Sequence, residues 1–195
     1  MLPGLYYHVY NHANGDENLF RREENYHYFL NLWAKHIEPI ADTYAYCLMP
    51  NHFHALIRIK ELDIIEAKIA MSDEVTIETF ISRTFSNFFN AYAKAFNKMY
   101  DRRGSLFNRP FKAKEIDNDQ YLTVVIAYIH RNPVHHGFRD TIDDWPFSSY
   151  EALLSTKPTK IKRRKVLDWF GNVPAFRQSH KLEPRIKDTS LFIDW

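Results

Sequence analysis

Hydrophobic positions change their spacing several times along the chain, and each change predicts an element. "LYYHVYNH" (Leu5 to His12) is aromatic and β-branched enough for a first strand. "NHANGDEN" follows with Asn-Gly turn chemistry. From Arg21 to Ile37 the apolar residues Tyr26, Phe29, Leu30, Trp33 and Ile37 recur at helical spacing, and Pro39 closes the run. "TYAYCLMP" and "HFHALIRI" read as second and third strands joined at Pro50-Asn51. A long helix is predicted from Val75 to Tyr100 by the stripe Ile77, Phe80, Ile81, Phe85, Phe88, Tyr92 and Phe96. "SLFNRPFKAKEI" gives a loop and a fourth strand. "DNDQYLTVVIAYIHRN" gives another helix, with Asp117, Asn118 or Asp119 as its cap and Pro133 with Gly137 as its end. The order is β-α-β-β-α-β-α. Its first six elements predict an α+β, ferredoxin-like split βαβ: an antiparallel sheet with helices on one face.

After Tyr150 the texture changes to "STKPTK", polar and proline-containing, so residues 1–150 read as the main domain and 151–195 as a C-terminal extension. "VLDWFGNVPAF" is apolar enough to dock, while Leu182 to Trp195 reads as loosely held. A net charge of +2 neither demands nor excludes a nucleic-acid partner, because local clustering decides that. The one dense basic cluster is "KIKRRK", Lys160 to Lys165. No run is long and apolar enough to span a bilayer, no signal-peptide pattern opens the chain, and a single cysteine, Cys47, forms no internal disulfide. The expectation is a cytoplasmic protein without a membrane partner.

Within "YCLMPNHFHALIRI" two histidines flank Phe53 in an otherwise apolar strand. Strand side chains alternate, so His52 and His54 share one face, where two imidazoles can hold one metal ion. Two histidines leave such a site incomplete, and the helix after the fourth strand supplies candidates for the rest. Tyr128 and Asn132 lie four apart on one stripe, at the border of the apolar stripe Leu122, Val125, Ile126 and Ile129. Asn offers a carbonyl oxygen to a metal and Tyr an oxygen nucleophile. Tyr121 shares the stripe and competes for the nucleophile's role.

"MPNHFHALI", "AYIHRNPVHHGF" and "WPFSSY" (Trp145 to Tyr150), in this order and at these separations, resemble the single-tyrosine HUH transposases, and most closely their REP-associated tyrosine transposase branch. The resemblance covers residues 3 to 150, including "YHVYNHANGDENLF". It implies that His52 and His54 bind a divalent metal, that Asn132 completes the metal site, and that Tyr128 is the nucleophile. The implied reaction is cleavage and strand transfer of single-stranded DNA, hairpin-forming in this branch, through a 5′-phosphotyrosine. The implied cation is Mg²⁺ or Mn²⁺: imidazole ligands suit Mn²⁺ better, abundance and family habit favour Mg²⁺. Relatives in the wider group work as homodimers. Members often carry an arginine where this chain has His12, which reads as a neutral surface residue, and His8 reads as a packed histidine rather than a ligand.

Arg102, Arg103, Arg109, Lys112, Lys114 and Arg131 lie in or near the strand and helix that carry this chemistry, and are the expected phosphate contacts. Phe107, Phe111 and Tyr121 are the residues that could stack on bases. Two other readings use the same residues: a domesticated, non-catalytic protein that binds a DNA hairpin, and a metal hydrolase with water as its nucleophile.

Overall fold

A computed structural model describes residues 1–73 and 76–182. Four strands, β1 (Tyr6–His12), β2 (Ala41–Leu48), β3 (His52–Ile59) and β4 (Lys112–Ile116), form one antiparallel sheet in the order β2-β3-β1-β4. This is the ferredoxin-like order that the alternation of periods predicts. Helices α1 (Glu23–His36) and α3 (Ile77–Met99) pack together on one face. Phe29 and Trp33 of α1 meet Phe88 of α3 with ring centroids 4.9 and 5.4 Å apart, and Phe53 lies 5.1 Å from Phe29. A buried aromatic of this kind contributes about 1.5–3 kcal/mol. The start expected for α3 at Val75 lies outside the described residues; Thr76 caps the helix by accepting from the Thr79 N–H. Helix α2 (Leu62–Ile69) was not predicted, because two turns with one buried residue, Ile65, are too short to display a period.

The other face of the sheet belongs to α4 (Asp119–His135), which lies against β2, β3 and β4. Its stripe Leu122, Val125, Ile126 and Ile129 is buried there, as its spacing predicts. Pro133 does not end this helix. It lacks an N–H, but it sits in the last turn, where the loss of one bond is tolerated. The helix stops at Gly137, whose φ of 68° lets Phe138 N–H reach the Pro133 carbonyl and Gly137 N–H reach the Val134 carbonyl.

"WPFSSY" acts as an added rung beside β2. The Trp145 indole donates to the Leu48 carbonyl, Leu48 N–H donates to Phe147 O, and Ser149 N–H donates to Tyr46 O. Helices α5 (Tyr150–Leu154), α6 (Arg163–Phe170) and α7 (Val173–Lys181) then cover α4 and the end of β2. Tyr150, Leu153, Ile161, Val166 and Phe176 are buried in the same hydrophobic core as the sheet. The expectation for the tail from Glu183 onward lies outside the described residues.

Candidate active site

Residues directly opposite in an antiparallel ladder point to the same side. His8 pairs with Leu56, Tyr10 with His54 and His12 with His52, so these side chains share the face that α4 covers. His52 and His54 are buried, their rings 5.1 Å apart and nearly perpendicular. Each ring has one nitrogen engaged by the protein. His52 Nδ1 is 2.8 Å from Asn51 Oδ1, which only accepts, so Nδ1 carries the hydrogen and Nε2 is left as an acceptor. His54 Nδ1 lies 2.9 Å from His8 Nε2; with the hydrogen on His54 Nδ1, its Nε2 also becomes an acceptor.

Helix α4 brings the remaining groups to this face. The Asn132 amide donates to the Tyr128 carbonyl at 3.0 Å, which turns its Oδ1 away from its own helix. The Tyr128 ring lies edge-on to His54 at 5.6 Å and to His8 at 6.0 Å. Tyr121 is seven residues earlier, about 10 Å along the axis at 1.5 Å per residue, and packs at the edge of the core. Asn132 is fully buried and Tyr128 is 7% exposed, so neither stands at the solvent border that the helical stripe suggested. The reason is tertiary: the front of α4 lies on the sheet, where Tyr128 packs against His54 and His8 and Asn132 reaches His52.

His52 Nε2, His54 Nε2 and Asn132 Oδ1 are buried acceptors that receive no hydrogen bond. Leaving one such group unsatisfied costs on the order of 1–3 kcal/mol. The donor set therefore fits a cation. Among the described residues no three His, Cys, Asp or Glu side chains stand at ligating spacing, so an ion here would rest on two imidazoles and an amide oxygen. Burial pushes the His52 imidazole down to about 3, with His136 and His12 repelling a further positive charge and Asn132 opposing them weakly. Burial holds His54 well below the usual histidine range, with His8, His52 and His136 adding to it. Both rings are neutral at physiological pH, the form in which imidazole binds a metal.

Two neighbours were missed or misjudged from sequence. His12 is not an isolated surface residue: its ring lies parallel to His52 at 5.8 Å. His136 lies 4.9 Å from His52, one helical turn beyond Asn132. The i, i+4 spacing of Asn132 and His136 was the available signal, hidden because the helical stretch was read only as far as Asn132.

The basic residues divide by role. Lys112 is exposed and pairs with Tyr10, and Lys114 pairs with His8, so both point to the face of the histidines. Arg103 and Arg109 are exposed on the loop before β4. Arg102 instead holds that loop: it bonds Glu17 at 2.8 Å, Asn97 at 2.9 Å and Ser105 O at 2.9 Å. One arm of Arg131 donates to the His180 carbonyl at 2.9 Å. In "KIKRRK", Lys160 pairs with Glu38, Lys162 with Asp42, and Arg163 donates to Ala152 O and Lys157 O. Lys160 and Lys162 thereby tie the segment before α6 to Glu38 and to β2. Phe107 is buried against Phe89, and Phe111 stacks on Phe85.

No family model matches the chain. A solved REP-associated tyrosine transposase, bound to a REP hairpin, superposes with a TM-score of 0.56 over 80% of this chain and 84% of that one, at 18% identity; this is a likeness of fold. A curated Haemophilus influenzae protein, named as a REP-associated tyrosine transposase, is 30% identical over 134 residues, 67% of this chain and 68% of that protein. Such an alignment reaches well beyond any single motif, and the chain belongs to the REP-associated tyrosine transposases.

Proposed function

We propose that this protein cuts and rejoins hairpin-forming single-stranded DNA by transesterification at Tyr128. The observation that carries the reading is the meeting of three unsatisfied buried acceptors, His52 Nε2, His54 Nε2 and Asn132 Oδ1, on the face where the Tyr128 ring packs. A divalent cation, Mg²⁺ or Mn²⁺, held by these three side chains would polarise a non-bridging phosphate oxygen. Lys112 and Lys114, with Arg103 and Arg109, bind flanking phosphates, and binding weakens steeply with salt. The Tyr128 oxygen attacks phosphorus in line. As the Tyr–O–P bond forms, the bond to the 3′-oxygen breaks, giving a 5′-phosphotyrosine and a free 3′-OH. The phenol proton leaves and the departing 3′-oxygen takes one up. Phenoxide, with a parent pKa of about 10, leaves more readily than an alkoxide, so a second 3′-OH reverses the step without ATP. One chain supplies all four side chains, so the reading requires no second copy. A DNA partner of this kind places the protein in the cytoplasm, at the nucleoid when bound.

The burial of Tyr128 favours a second reading, a hairpin-binding protein that does no chemistry. The test is incubation with a single-stranded hairpin oligonucleotide and Mn²⁺ followed by denaturing electrophoresis. The expected result is a DNA–protein adduct stable to SDS, lost in Tyr128→Phe with hairpin binding retained. Binding without an adduct in the unaltered protein supports the second reading. An adduct that survives Tyr128→Phe and disappears in Tyr121→Phe moves the nucleophile. Cut DNA with no protein attached makes water the nucleophile.

A further inference from the structure

Behind the Tyr128 helix runs a buried chain of hydrogen bonds that the reaction does not use. Its members are Tyr46 on β2, Ser149 before α5, His130 on α4, and His180 and Phe176 on α7. His180 Nδ1 is 2.7 Å from the Phe176 carbonyl, His180 Nε2 is 2.8 Å from His130 Nδ1, and His130 Nε2 is 2.6 Å from Ser149 Oγ. Ser149 Oγ in turn accepts from Tyr46 N–H at 2.8 Å. A carbonyl only accepts, so His180 Nδ1 must carry the hydrogen and its Nε2 must accept. His130 Nδ1 then donates, its Nε2 accepts, and the Ser149 hydroxyl donates to it. One arrangement of hydrogens satisfies every member with both rings neutral. Burial supports it by holding His130 well below the usual histidine range and His180 at about 4.

The chain reaches the reaction through helix geometry. His130 lies two residues from Tyr128 and two from Asn132, about 200° around α4, so it grips the back of the turn whose front faces the histidines. From there it is tied to strand β2 on one side and to α7 on the other. Arg131 adds a bond from the same turn to the His180 carbonyl.

We infer that His180 is a positioning residue for the Tyr128 nucleophile: through His130 it fixes the rotation of α4, and with it the approach of the phenol to a phosphate on the sheet. The C-terminal extension is thereby part of the active unit, although none of its atoms touches DNA in this role. The inference rests on the proposed tyrosine chemistry, and its test separates the two.

Single-turnover adduct formation on the hairpin oligonucleotide with Mn²⁺ is measured for the full chain and for His180→Phe and His180→Gln, together with hairpin affinity and the thermal unfolding midpoint. Phe fills the space without an acceptor. Gln offers an amide oxygen to His130 and an amide N–H to Phe176 O. The expected result is an adduct rate lowered about tenfold or more in His180→Phe, as a misplacement of about 1 Å suffices to cause. Hairpin affinity stays unchanged, and His180→Gln recovers to within about threefold. If His180→Phe is folded at the assay temperature and forms adduct at the normal rate, the inference fails and the tyrosine chemistry stands. If the unaltered protein forms no adduct, the reading beneath it fails first. Should His180→Phe not fold, Ser149→Ala decides: it removes the donor at the other end of the chain and leaves α7 in place. A normal rate in that variant overturns the inference, and a rate lowered about fivefold or more, with hairpin affinity kept, supports it.

Discussion

His54 has no solvent exposure, yet one of its ring nitrogens receives nothing from the protein. The imidazole works because its two nitrogens are separable: Nδ1 is engaged by His8, and with the hydrogen on Nδ1 the unpartnered Nε2 is an acceptor. His52 repeats the arrangement with Asn51. A ligand whose second nitrogen is held this way binds metal more tightly, and loss of the supporting partner costs about 10–100-fold in affinity. Asn51→Ala is therefore expected to weaken Mn²⁺ binding by at least about tenfold, as a titration of free Mn²⁺ by electron paramagnetic resonance would measure, and to cost about 1–3 kcal/mol of stability by leaving the buried His52 Nδ1–H without its acceptor. Equal affinity in the variant would show that Asn51 orients nothing. The shared face of His52 and His54 was legible from alternation alone. Their neighbours His8 and His12 were not, because they sit forty or more residues away in sequence and only the strand register brings them beside the pair.

Elements place these residues by simple repeats, and one helix end shows where sequence signals can be misread. Pro133 is a strong stop signal, yet α4 continues for two more residues because the lost bond falls in a turn where few bonds remain. The stop is Gly137, at φ 68°. A Cβ there would meet nothing within 4 Å, so Gly137→Ala strains the backbone alone. The expected cost is about 1–2 kcal/mol, read as a lower urea midpoint with an unchanged slope. The continuation matters to the site, since it carries His136 round to His52. The motif "WPFSSY" was visible as a string, but its work as a rung beside β2 was not, because edge pairing depends on which strand lies at the border of the sheet.

Across the whole molecule, the C-terminal helices bury the Tyr128 helix on its own sheet and make the histidine pair behind it sensitive to acid. His180 is held at about 4 against about 6.5 for a free histidine, first by burial, then by Arg131, with the Phe176 carbonyl opposing. The folded state thus binds fewer protons than the unfolded chain between these values. Its stability is full above pH 6.5 and falls as pH drops toward 4, by about 3 kcal/mol from this group. Urea midpoints at pH 7.5, 6 and 5 should decline in that order, and His180→Gln should flatten the decline. A decline of the same steepness in the variant would assign the acid lability to other groups. The "KIKRRK" cluster belongs to this scale too. As a string it suits a phosphate backbone, but three of its side chains already have partners: Lys160 on Glu38, Lys162 on Asp42 and Arg163 on backbone carbonyls, while Arg164 and Lys165 stay exposed.

Periodicity by itself determined the strands and long helices, the ferredoxin-like order and the common face of His52 and His54, because each of these follows from repeats of two or 3.6 residues along a local stretch. The spacing of Tyr128 and Asn132 likewise needed only one helix. Tertiary structure alone decided that α4 lies on the face opposite α1 and α3, that His8, His12 and His136 ring the pair, and that α7 grips the helix from behind. Those are contacts between segments far apart in the chain, and they are set by register and packing, which no local repeat encodes.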